Sequence, residues 1–128
     1  MPGRDAFQYT ILRVVPRIDR GECMNVGVVL FCPQRKYLGA RIELDQARLR
    51  ALAPDLRPEA LRPHLEAISA VVAGDASGGA LSTLSASERF GWVAANSSTM
   101  IQPSEVHTGL TDNPQGTLQH LFDSLVPI

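Results

Sequence analysis

From Phe7 to Val15 the chain is dense in Tyr, Ile and Val and stops at Pro16, the composition of a β-strand closed by a residue that cannot donate to a ladder. A polar link, Arg17 to Gly21, leads into a second strand from Glu22 to Phe31. Its apolar residues fall on both faces, which predicts an inner strand covered twice, by helices or by a partner subunit. Pro33-Gln34-Arg35 turns the chain into a third strand, Lys36 to Leu44, and short links of this kind predict an antiparallel meander. A hairpin turning near Asp19 pairs Arg13 with Asn25, Ile11 with Gly27 and Tyr9 with Val29; the next pairs Val29 with Ala40 and Phe31 with Leu38. On that register these residues share one face, apolar along most of its length, with Arg13 and Asn25 at one end.

Beyond Leu44 the apolar spacing lengthens to the three and four of a helix. Asp45 reads as the N-cap of a short helix that Pro54 ends. Proline inside a helix removes a hydrogen bond and clashes with the preceding turn, so the main helix is expected to begin near Pro63, with Leu65, Ile68 and Val72 buried. Residues 74–79 read as a surface loop. Ser85 and Glu88 make a capping box for a helix holding Phe90 and Trp92. Thr99 to Gln102 reads as a fourth strand ended by Pro103. Asn113-Pro114 then opens a last helix with Leu118, Leu121, Phe122 and Leu125 on its apolar face. The order predicts an α+β fold: an antiparallel sheet, made of the N-terminal three-strand meander plus one later strand, packed with three to four helices in a single domain over 1–128.

Composition narrows the function classes. The 128 residues are 45% hydrophobic and 20% charged, with 12 basic against 13 acidic residues and a net charge of −1. That balance provides no general attraction to nucleic acid or to anionic lipid, and no basic stripe with interleaved aromatics marks a single-strand reader. Nucleic acid is therefore not the expected partner. No apolar run approaches the roughly 20 residues of a membrane span. Cys23 and Cys32 lie in one predicted strand, roughly 30 Å apart, and cannot pair with each other. Two unpaired thiols lead us to expect a reducing cytoplasm. Eleven of the basic residues are arginine, which suits a GC-rich coding bias or forked contacts to carboxylate and phosphate.

Two polar clusters carry the candidate chemistry. Arg13 and Asn25 sit at the end of an apolar face, with Arg20 and Glu22 in the adjoining connection. An arginine there needs a partner: Glu22, Asn25 with a backbone carbonyl, or a carboxylate, phosphate or backbone group from outside. The second cluster runs from Asn96 to Gly109 and contains Thr99, Gln102 and His107; it either cradles an anion or saturates its own backbone through turns. There is no nucleophile elbow, no glycine-rich phosphate loop and no metal-ligand spacing among His64, His107 and His120, so neither a catalytic centre nor a cofactor or metal is expected. His107 is the acid–base candidate, on condition that Glu22 or Glu105 approaches it. The leading expectation is an interaction module that contacts a protein partner, or itself through the sheet, by way of Arg13, Arg20, Glu22, Asn25, Thr99, Gln102 and His107. The alternative is a small phosphate- or nucleotide-binding enzyme with an arginine clamp and His107 as acid–base.

Tyr9-Thr10-Ile11-Leu12-Arg13-Val14-Val15-Pro16 followed by Arg20-Gly21-Glu22-Cys23-Met24-Asn25-Val26-Gly27 resembles the bacterial domain-of-unknown-function family numbered 3037. Arg89-Phe90-Gly91-Trp92 and Val106-His107-Thr108-Gly109-Leu110 are similar to it too, so the resemblance spans nearly the whole chain. It implies no established activity. It implies an accessory role, because family members accompany HipA-like kinases in bacterial gene neighbourhoods. This chain carries Glu105 where members often have proline and Ser97 where they often have arginine; if that arginine helps bind an anion, the resemblance implies that this chain binds it more weakly or not at all.

Overall fold

A computed structural model describes residues 3–95 and 100–127. The β-branched and aromatic N-terminal run forms strand β1, Asp5–Val14. A single 3-10 turn, Ile18–Arg20, closes on Gly21 with φ 68°, a left-handed conformation that glycine adopts without strain, and returns the chain as β2, Met24–Cys32. A second tight turn leads into β3, Tyr37–Ile42. The three strands make the expected antiparallel meander. Two short later strands, β4 (Ile101–Pro103) and β5 (His107–Thr111), both pair antiparallel with the remaining side of β1. β4 lies along its C-terminal half and β5 along its N-terminal half, completing a five-stranded sheet.

The register differs from the symmetric one in a single step with large consequences. Arg13 faces Asn25 and Val14 faces Met24, but beyond a bulge between Leu12 and Arg13 the pairing slips, so that Ile11 faces Val28 and Tyr9 faces Leu30. The bulge adds a residue to β2 and reverses which way its side chains point on either side of it. Met24, Val26, Val29 and Phe31 consequently reach one core, whereas Val28, Leu30 and Cys32 reach another. The pairs Val29 with Ala40 and Phe31 with Leu38 hold as expected. Arg13 and Asn25, however, lie on the face opposite Val29 and Phe31, not at the end of their face.

Helices cover both faces. On one side sit α1 (Gln46–Leu52), α2 (Pro58–Ala73) and α3 (Ala86–Ala95), contributing Leu49, Leu61, Leu65, Ile68, Val72, Phe90 and Val93 to the larger core. On the other, α4 (Pro114–Leu125) lays Leu118 and Phe122 against Phe7, Val28, Leu30 and Cys32. The second cover of β2 is thus a helix of the same chain. Three helix starts follow their caps: Asp45 accepts from the Ala47 and Arg48 amides, Ser85 and Glu88 bond reciprocally, and Asn113 accepts from the Gly116 amide.

Three expectations need correction. The main helix begins at Pro58, and Pro63 lies inside it. Pro58 takes the first helical position, where its missing N–H costs nothing, and fully buried Leu61 anchors the turn that Pro63 interrupts, so packing outweighs propensity. The stretch read as a loop continues into a 3-10 segment, Ala76–Thr83, with Gly79 at φ 72° inside it. The later part of the sheet holds two strands rather than one. β5 is short, lies in a stretch read as polar and has Gly109 at its centre; the Phe7 ring occupies the space above that glycine, where an added Cβ would lie 2.6 Å from Cζ.

Candidate functional site

Arg13 stands directly between Asn25 on β2 and Gln102 on β4. Residues opposite one another share a face, so the three form a row across the sheet on the α4 side. Asn25 donates its side-chain amide to the Leu125 carbonyl at 2.9 Å, and the Arg48 guanidinium donates to the Val126 carbonyl at 2.6 Å. Both satisfy carbonyls that the end of α4 leaves without intrahelical partners. Arg13 is half-buried and, among the described residues, its guanidinium has no hydrogen-bond or ion-pair partner. It sits one strand from the negative end of the α4 dipole, which favours a cation there without neutralising it.

Glu22 does not supply the missing anion. It accepts a short hydrogen bond from the Arg20 Nε in the β1–β2 connection, where Arg17 pairs likewise with Asp19 at 2.6 Å. The Arg20 hydrogen bond holds the Glu22 carboxyl below the usual glutamate range, and the same bond raises Arg20. Both side chains are exposed. With Pro16, Leu52 and Pro54 they line an open groove of about 550 Å³ against the end of α1.

His107 lies apart from both groups. It faces Tyr9 across the β1–β5 pair and stacks on its ring at 5.1 Å and 27°, and Tyr9 in turn stacks on Phe7 at 6.0 Å. Four steps along the strand, roughly 13 Å, separate Tyr9 from Arg13. Neither Glu22 nor Glu105 hydrogen-bonds the imidazole. The structure therefore brings together Arg13, Asn25 and Gln102, pairs Arg20 with Glu22 elsewhere, and leaves His107 on an aromatic stack; Thr99 lies outside the described residues. An arginine clamp beside a histidine, as a phosphate- or nucleotide-handling enzyme would need, is not assembled. Among the described residues no three His, Cys, Asp or Glu side chains gather where they could hold a metal.

Sequence reasoning missed three residues that hold the elements around the sheet. Ser104, buried, follows β4 and replaces the ladder where β4 gives way to β5. Its amide donates to the Ile11 carbonyl at 2.7 Å, its hydroxyl oxygen accepts from the Ile11 amide at 2.8 Å, and its carbonyl accepts from the Thr10 hydroxyl at 2.8 Å. Arg48 caps α4, as above. Arg89 donates to the Val71, Val72 and Leu84 carbonyls, closing the C-terminal end of α2. For the two arginines the arginine-rich composition was the available signal, but it fits coding bias or contacts to anions, whereas these guanidinium groups bind backbone carbonyls.

No helix among the described residues is long and apolar enough to cross a membrane. No curated protein and no solved structure matches the chain. A family model described as a protein of unknown function (DUF3037) matches residues 9–126. That span takes in the Arg13 row, the aromatic partner of His107, and both helical covers of the sheet. By this match the chain belongs to the DUF3037 family.

Proposed function

We propose that this chain is a single-domain accessory module of the bacterial cytoplasm that docks on another protein, with a HipA-like kinase as the partner its family resemblance implies. The observation that carries the reading is Arg13, a half-buried guanidinium without an anion, flanked across the sheet by the amides of Asn25 and Gln102. A partly desolvated cation without a counter-charge is costly, and a carboxylate offered by a partner removes that cost through a bidentate, charge-assisted pair. Gln102 would hold the same carboxylate from the side. His107 on its tyrosine would form an amphipathic margin to the contact.

Calorimetric titration of the purified chain into a HipA-like kinase from the same genome tests this. Arg13→Ala is expected to weaken binding by roughly 1.5–3 kcal/mol, the range for hydrogen bonds to a charged group. Circular dichroism would confirm that the variant stays folded. An affinity left unchanged by both Arg13→Ala and His107→Ala would rule out this contact surface.

A further inference from the structure

The opposite edge of the sheet carries a second feature. Among the described residues β3 pairs only with β2, so the N–H and C=O groups along its outer edge have no strand beside them. Two depressions of about 450 and 300 Å³ lie between this edge and α2, and they share Ser69 and Ala73 as walls. The smaller one touches Leu38, Gly39 and Ala40 in succession. Leu38 and Ala40 point to the α2 side and Gly39 offers only backbone between them, so the depression runs along the α2 side of this edge strand. The helical wall is low because Ser69, Ala70 and Ala73 are short, and the apolar floor is Leu65 and Val72.

Charge selects the occupant. Glu66 and Asp75 are the charged residues lining the larger depression, and no lysine or arginine lines either one. Arg41, the cation on β3, is turned to the other face, over the Phe122 ring at 5.3 Å. The geometry points to a strand-docking groove: an extended segment of another protein adds to the free edge of β3, sets small apolar side chains against the Ser69–Ala73 wall, and brings a lysine or arginine to Glu66 and Asp75. Main-chain bonds supply affinity in this mode and alternate side chains supply specificity. A second copy of the chain is a poorer occupant, since edge-to-edge pairing about a two-fold axis would set like acidic walls together, and nucleic acid carries the wrong sign. This site is on another edge and another face from the Arg13 row and stands independently of it.

The probe is a capped, fluorescein-labelled octapeptide of alternating valine and lysine, titrated against the full chain by fluorescence anisotropy and followed by NMR amide exchange. Saturable binding is expected, with new protection at alternate amides of Tyr37–Ile42. Ser69→Arg, at an exposed helical position, is expected to weaken binding roughly tenfold, and Ser69→Gln, which fills the groove without adding charge, roughly fivefold. Arg13→Ala should leave the peptide affinity unchanged, so that failure here and failure of kinase docking are read separately. Absence of saturable binding, equal binding of the valine–glutamate peptide, or an affinity unmoved by both Ser69 variants would overturn the proposal.

Discussion

Phe122→Ala tests whether α4 is the sole cover of its face of the sheet. Phe122 is 3% exposed and packs with Phe7, Val28, Leu30 and Cys32. Truncating a core phenylalanine to alanine costs about 3–5 kcal/mol, through lost transfer energy and the cavity left behind. Loss of the Arg41 contact at 5.3 Å adds roughly 0.5–1 kcal/mol. We take about 4 kcal/mol, which for a chain of this size lowers Tm by roughly 12–20 °C. The more discriminating readout is thiol chemistry. Cys32 is fully buried beneath α4, and Cys23 is exposed, so each molecule carries a slow thiol and a fast internal control. If α4 must lift for Cys32 to react, about 4 kcal/mol corresponds to a labelling rate raised roughly a thousandfold. Trp92 packs on the other core and reports that layer separately. The expected result is fast labelling of Cys32 at a temperature where Trp92 fluorescence is still native. An unchanged Cys32 rate, or labelling that begins only as Trp92 fluorescence collapses, would refute the reasoning.

Further predictions concern the sheet and its connections. Ser104→Ala removes the acceptor of the Ile11 amide and is expected to cost about 1–3 kcal/mol in urea denaturation. Gly27→Ala places a Cβ 2.9 Å from both the Arg41 carbonyl oxygen and Ile42 Cγ1, so β3 must shift; the same assay should show a loss of about 1–3 kcal/mol. Asp45→Ala strips α1 of a cap that serves two amides and should cost about 1 kcal/mol. The Glu22 carboxyl, depressed by its hydrogen bond from Arg20, keeps its charge at neutral pH and loses the pair only as pH falls through the lowered pKa. Carbon-detected NMR titration of Glu22 should therefore give a midpoint below the usual glutamate range, and Arg20→Ala should raise it.

Local signals were legible wherever one side chain decides the outcome. Asp45, the Ser85–Glu88 pair and Asn113 each announced a helix start, because a cap is a chemical event within a few residues. The first three strands were legible from their density in Val, Ile and Tyr. Pro63 misled because its local penalty is outweighed by the burial of Leu61, a contact across the fold that spacing does not reveal. β5 was hidden because it is short, lies in a stretch read as polar and has Gly109 at its centre, with Phe7 lying over that glycine from about a hundred positions away. At the candidate site, the pairing of Arg13 with Asn25 was read correctly because both lie on the hairpin side of the bulge. The surroundings were not, since the extra residue in β2 moves everything beyond it to the other face. The Arg20–Glu22 pair, two residues apart, was near enough in sequence to place, but which of Arg13 and Arg20 the carboxylate would choose was not.

The bulge in β2 also constrains how this chain can vary in length. Met24 and Val26 point to the same core as Val29 and Phe31 only because one residue is inserted between the two halves of the strand. Val26 is the residue left without a partner on β1: deleting it would restore an unbroken ladder with Met24 still opposite Val14 and Asn25 still opposite Arg13, whereas keeping every residue and pairing without the bulge would turn Met24 toward α4 and Asn25 away from the Leu125 carbonyl it holds. A single loss or gain elsewhere within 24–32 is thus a frameshift in space, exchanging the residues owed to one helical cover with those owed to the other. Length changes in this chain are expected to be tolerated in the connections after Val14, Cys32 and Ala73, where no second layer counts the residues, and within β2 only at the bulge or in compensating pairs.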